Sequence, residues 1–265
     1  MLSELLENIR IRAPRVHCIA NFVTANDCAN LLLAVGASPI MADDPMESAE
    51  ITACCGALTL SLGTPNARRL EAMTLSAGQA YRMGIPVILD PVGVTASGMR
   101  KEAAARLLES GTVSVIRGNA SEICVLAGEA FAGCGLESAD DAGAVADTAK
   151  RLAAGTGAVV VMTGDTDIVT DGKRLCRIRN GHPIQRSVTG AGCQLTALLG
   201  AFAAANPGRM FEAAVAGVCM MGLCGEIAHG RMLPLDGNAA CRGYMIDAAY
   251  RMTGERLREG AKYEM

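Results

Sequence analysis

The run Ser187-Val-Thr-Gly-Ala-Gly-Cys-Gln-Leu-Thr-Ala-Leu198 places two glycines and a thiol ahead of an apolar helical stretch. Glycine lets a chain turn tightly with positive φ and lets a ligand approach the backbone closely. A helix starting near Cys193 leaves unpaired N–H groups, and the positive end of its dipole, at the same point. Gly190, Ala191, Gly192 and Cys193 therefore read as an anion hole suited to phosphate. Cys193, at its mouth, is expected to ionise more readily than a free thiol and to accept a proton from an attacking hydroxyl. Taken alone, the turn fits a plainer reading equally well: a tight loop holding a buried structural cysteine.

Chemistry at that turn requires elements that carry other polar groups to it. Apolar runs at 15–20, 38–42, 57–61, 86–90, 113–116 and 158–162 alternate with helical stretches. The pattern predicts helices over 3–12, 26–35, 66–83, 101–110, 139–154 and 193–205, with more near 210–228 and 238–253. Uninterrupted apolar strands alternating with helices point to a mostly parallel sheet covered on both faces. A hairpin turning at Asp171-Gly172 adds an antiparallel edge. No repeat, linker or low-complexity segment divides the sequence, so residues 1–265 read as a single α/β domain.

In such folds ligands bind beyond the carboxyl ends of the strands. Those ends carry Asn21, Met41, Gly63, Asp90, Arg117 to Glu122, and Thr163-Gly164. Asp90 reads as a ligand of Mg²⁺, direct or through water, or as a loop cap. Glu122 reads as a second acid near the metal, or as an acid that complements a helix dipole. Arg117, placed just past the predicted strand 113–116, suits a nucleotide phosphate or the group in transfer. Thr163 could offer its hydroxyl to the nucleotide or only mark a strand-to-turn junction. Met41 could line a pocket for an apolar ring or pack as core. His17 reads as a core histidine, His182 as a turn residue, and His229 shows no partner; their scatter gives no zinc site.

Composition narrows the class. The chain has four Phe, four Tyr, no Trp and a formal charge of −3, which disfavours base stacking, nucleic acid and membrane surfaces. The most apolar stretch, 213–225, is too short for a membrane span and reads as a buried helix. Eleven cysteines in mostly apolar company fit a reducing compartment, the cytoplasm, better than a disulfide framework.

Five segments then carry a resemblance: Val16 to Thr24, Ala37-Ser-Pro-Ile-Met-Ala-Asp-Asp-Pro45, Leu89-Asp-Pro-Val-Gly93, Val115-Ile-Arg-Gly-Asn119 and Val188-Thr-Gly-Ala-Gly-Cys193. Together they resemble the hydroxyethylthiazole kinase family, over nearly the whole chain. The Gly-Ala-Gly turn alone would mark only the wider ribokinase-like group. The resemblance implies a ribokinase-like three-layer sandwich and transfer of the ATP γ-phosphate to 4-methyl-5-(2-hydroxyethyl)thiazole, a step of thiamine salvage. It places Met41, Gly190 and Asn21 on the thiazole, Arg117 and Thr163 on ATP, and Asp90 and Glu122 around Mg²⁺. It implies a homotrimer with substrate sites between subunits. Relatives often carry Thr in place of Ala191, and most ribokinase-like enzymes carry Asp where this chain has Cys193. Other readings are a kinase of a pyridine or pyrimidine alcohol, a nucleotide-binding sensor, and a thiol-redox protein built on Cys193.

Overall fold

In the computed structural model, which describes residues 1–129 and 141–265, the alternation seen in the sequence becomes one sheet. Its strands are β1 (Arg15–Ile19), β2 (Ser38–Ile40), β3 (Ala57–Ser61), β4 (Val87–Asp90), β5 (Val113–Asn119), β6 (Val159–Thr163), β7 (Asp167–Thr170), β8 (Leu175–Ile178) and β9 (Tyr263–Glu264). They lie in the order β2-β1-β3-β4-β5-β6-β7-β8-β9. The first six are parallel and the last three antiparallel, so the expected hairpin edge is present and is extended by the C-terminal strand.

The helices are α1 (Leu2–Arg12), α2 (Ala25–Val35), α3 (Ser48–Ala53), α4 (Ala67–Met83), α5 (Gly98–Glu109), α6 (Ala120–Leu126), α7 (Asp141–Thr156), α8 (Ala191–Ala205), α9 (Met210–Arg231), α10 (Asn238–Tyr250) and α11 (Gly254–Gly260). Successive strand residues point to opposite faces, which divides the core in two. Val16, Cys18, Ile88, Val159 and Val161 pack beneath α1, α2, α8, α9 and α10. Leu58, Leu60, Val87, Leu89, Val160 and Met162 pack beneath α4, α5 and α7. This is the three-layer sandwich that the resemblance implied. Helix α9, long and apolar, is a buried core helix here.

Three local differences from the sequence reading matter to the site. Strand β5 runs on to Asn119, because Arg117, Gly118 and Asn119 pair with Val161, Met162 and Thr163 of β6. Arg117 is thus fixed within the sheet instead of lying in its exit turn. Helix α8 starts at Ala191, two residues early, with Gly190 as its N-cap at φ 80°. At the C-terminus, α11 follows α10 and was not foreseen; Thr253 caps it by accepting from the Arg256 N–H. Among the described residues, nine cysteines carry free thiols, seven of them buried, while Cys124 is disulfide-bonded.

Candidate active site

The carboxyl ends of β3, β4, β5 and β6 converge on the first turn of α8. Asp90, the last residue of β4, is fully buried. Its Oδ2 accepts a hydrogen bond from Thr196 Oγ1 at 3.2 Å, and Thr196 lies on α8 one turn beyond Gly192. Its Oδ1 has no hydrogen-bond partner, with Arg117 Nη1 the neighbouring charge at 3.5 Å. Burial pushes the Asp90 carboxyl above its ordinary range, and the Arg117 guanidinium only partly offsets this. A further cation would favour the ionised form, so the orphaned oxygen fits Mg²⁺, which needs few carboxylates.

Glu122 is held differently. Its Oε2 accepts from Asn119 N and its Oε1 from Gly93 N, both at 3.0 Å, while Asn119 Oδ1 accepts from Glu122 N at 2.9 Å. The two reciprocal bonds between Asn119 and Glu122 form a capping box that starts α6, as an acid at this position should. The Gly93 bond ties the loop after Asp90 to the end of β5. Glu122 therefore braces both loops, and its remaining lone pairs can still face a metal.

Arg117 donates from Nη2 to Thr163 Oγ1 at 3.0 Å, which joins the two expected nucleotide contacts across neighbouring strands. The guanidinium lies directly over Gly192: a Cβ placed there would fall 2.3 Å from Nη1. Gly190 meets a similar constraint, since a Cβ there would fall 2.4 Å from Thr24 Cγ2 and its φ is positive. Gly190 is thus required by close approach and by backbone shape, while Gly192 leaves room for the Arg117 guanidinium. From this turn a cavity of about 610 Å³ extends past Arg117, Asn119, Thr163 and Asp167 to Asn180, His182, Val218 and Met221.

Cys193 is half-buried in the first turn of α8, where, of the expected anion-hole amides, Ala191 N already donates to Val188 O at 3.2 Å. Its Sγ receives Asn21 Nδ2 at 3.3 Å and lies 3.8 Å from Ser61 Oγ. The expected fall in its pKa does not occur. Burial pushes the thiol up to about 11, Asp90's charge adds to that, and hydrogen bonds with Arg117's charge do not reverse it. The helix terminus is outweighed because the sulfur has lost water on most sides. Asn21 Oδ1 accepts from Val23 N and Thr24 N at 3.1 Å each, so its amide is oriented by the turn entering α2.

Of the residues singled out in the sequence, Asn21, Asp90, Arg117, Thr163 and the 190–193 turn come together, with Glu122 bracing them. Met41, just after edge strand β2, is 39% exposed, and Phe22, Val23 and Met46 are exposed as well. Ser61, Thr196 and Asp167 were missed. Ser61 and Thr196 sit in apolar runs where a hydroxyl gives no signal. Asp167 begins β7, accepts from Gly164 N at 2.9 Å, and is pushed up to about 6 by burial. His229 has a partner after all: its ring stacks on His182 with centroids 3.6 Å apart.

A parallel sheet with a glycine-lined helix terminus, an arginine and a buried acid at its carboxyl rim defines a ribokinase-like phosphotransferase. The model of the hydroxyethylthiazole kinase family matches residues 6–255, and the chain belongs to that family. It is 44% identical to a hydroxyethylthiazole kinase from Clostridium acetobutylicum, covering 100% of this chain and 99% of that one. It is 47% identical to one from Cereibacter sphaeroides, with 98% and 97% covered. Among solved structures, a hydroxyethylthiazole kinase from Pyrococcus horikoshii OT3 superposes with a TM-score of 0.89 at 32% identity, covering 99% and 98%. Staphylococcus aureus pyridoxal kinase in complex with ADP shares the fold, with a TM-score of 0.60 at 17% identity over 80% and 87% of the two chains.

Proposed function

We propose that the protein transfers the γ-phosphoryl group of ATP to the primary alcohol of 4-methyl-5-(2-hydroxyethyl)thiazole. The products are the thiazole monophosphate and ADP, as in thiamine salvage in the cytoplasm. The observation that carries this reading is the meeting of Arg117, Asp90 and Cys193 at the first turn of α8, in a chain that belongs to a kinase family.

In phosphoryl transfer the protein mainly positions groups and stabilises charge. ATP would occupy the cavity beside Arg117 and Thr163, with the transferring group at the amides of residues 190–193. The acceptor hydroxyl attacks phosphorus, the bond to the ADP oxygen breaks, and the hydroxyl proton passes to Cys193 as thiolate. With a pKa of about 11, only about one part in 10⁴ of the thiol is ionised at pH 7. The base is therefore weak, and the anion hole supplies most of the acceleration. Asp90, with Glu122 beside it, would hold Mg²⁺, which neutralises phosphate charge when bound.

The thiazole would rest against Gly190 and Met41. Asn21 would reach it indirectly, since both its amide hydrogens and its oxygen have partners within the protein. A homotrimer with sites between subunits would cover Phe22, Val23 and Met41, whose exposure supports such an assembly.

The deciding assay is ADP release with Mg²⁺ and the thiazole alcohol, compared with pyridoxal, hydroxymethylpyrimidine and no acceptor. Release with the thiazole alone is expected. Equal release without any acceptor would remove the kinase reading, and preference for pyridoxal or hydroxymethylpyrimidine would move it to another alcohol. Cys193→Ala should lower kcat by about 10- to 100-fold with little change in KM for ATP, and Cys193→Asp should retain activity. Wild-type turnover in Cys193→Ala would end the base assignment.

A further inference from the structure

We infer that Ser61 and Asn21 are positioning residues that aim the Cys193 sulfur at the acceptor hydroxyl through two donated hydrogen bonds. The inference rests on the reading of Cys193 as the base. Ser61, the last residue of β3, is 5% exposed, and Asn21, just past β1, is 4% exposed. A hydroxyl has one hydrogen to give and two lone pairs to receive. Ser61 Oγ lies 3.4 Å from Gly63 N and 3.5 Å from Asn21 Nδ2, and both of these can only donate. Its lone pairs are taken, so its hydrogen is free for Cys193 Sγ at 3.8 Å.

The amide of Asn21 cannot turn over without losing its bonds from Val23 N and Thr24 N. Its Nδ2 must therefore face the sulfur, at 3.3 Å, and Ser61. Two donors from neighbouring parallel strands fix the direction of the sulfur's remaining lone pair. Close placement of a reacting group is worth several powers of ten, and small misplacement loses much of it.

The test is a set of double-mutant cycles read in kcat and KM with ATP, Mg²⁺ and the thiazole alcohol. Ser61→Ala is expected to lower kcat about 10-fold while KM for ATP stays within about 2-fold. Ser61→Thr, which keeps the hydroxyl, should recover most of the loss. On the Cys193→Ala background Ser61→Ala should change kcat by less than about 2-fold, because no sulfur remains to be aimed. Asn21→Asp keeps the oxygen that accepts from Val23 N and Thr24 N and replaces the donor with a charge, so it too should slow only the chain that has Cys193. If Cys193→Ala is slow while Ser61→Ala and Asn21→Asp turn over normally, the positioning role is wrong and the base stands. Equal losses on both backgrounds would mean a structural role and would also overturn the inference. Wild-type turnover in Cys193→Ala would instead remove the base itself.

Discussion

Two buried polar residues on the same sheet show how scaffold and site differ. His17 on β1 and Asp90 on β4 are both fully shielded from solvent. His17 is completely paired, with Nε2 2.7 Å from Ala42 O and Nδ1 2.8 Å from Thr52 Oγ1. Asp90 keeps one oxygen without a hydrogen bond, and Arg117 beside it leaves its buried Nε unpaired as well. Native interiors satisfy almost all such groups. Among the described residues, Ser76 on α4 also lacks a partner, but Asp90 and Arg117 are the charged pair, and they lie by the first turn of α8, where a charged ligand is expected; His17 bonds to α3 instead. For Asp90 and Arg117, the phosphate and metal of the proposed reaction would supply the missing partners.

The sharpest way to break this contrast is to fill the space at the turn. Gly192 has an ordinary φ, so its backbone accepts a side chain, but any Cβ displaces the Arg117 guanidinium. Gly192→Val should leave thermal stability near wild type and lower kcat/KM for ATP by about 10³-fold, the scale of a lost oxyanion-type contact. Normal kinetics in that variant would show that phosphate does not approach there. The opposite pattern is expected at the scaffold histidine. His17→Ala should cost about 2–4 kcal/mol of stability, from a cavity plus two abandoned partners, with kcat of the folded fraction unchanged. A denaturant titration alongside steady-state rates separates the two outcomes, and a fall in kcat would tie His17 to the chemistry.

His17 also sets a pH dependence. Burial lowers its pKa from 6.5, and the bond to Ala42 O only partly restores it. Below pH 6.5 the unfolded chain takes up a proton that the folded chain refuses. Stability therefore falls as pH drops from 6.5 toward the folded-state pKa, by at most about 1.4 kcal/mol per pH unit from this group. Unfolding midpoints between pH 5 and 7.5 measure the slope. The slope should be flatter in His17→Ala, and an unchanged slope in that variant would assign the effect to other groups.

The contrast was only partly legible in the sequence. Strand alternation, the glycine turn and the acid after Val-Ile-Leu gave the sheet, the helix terminus and Asp90, because each rests on local pattern. His17 was readable as core because it sits inside an apolar run. The pairing of Arg117 with Thr163 could not be read, since it depends on β5 and β6 being in register. The thiol's behaviour was misjudged for a related reason. A helix terminus is visible in sequence, whereas the burial that raises Cys193, and the Asp90 charge that adds to it, exist only once the fold brings β4 against α8.

Gln194 tests the contrast most finely, because it lies next to Cys193 yet faces the core. It is fully buried, and neither its Oε1 nor its Nε2 has a hydrogen-bond partner. It does not line the cavity beside Arg117 and Thr163, so a nucleotide bound there would leave it unsatisfied. An amide buried without partners is unfavourable by about 1–3 kcal/mol per group, and an apolar side chain of similar length avoids that cost. Gln194→Met should therefore raise stability by about 1 kcal/mol, after allowance for imperfect packing, with kcat unchanged. Urea unfolding of the two proteins measures the difference. If the variant were less stable and slower, the amide would belong with the groups that the substrate completes, and the boundary between scaffold and site would move one residue into α8.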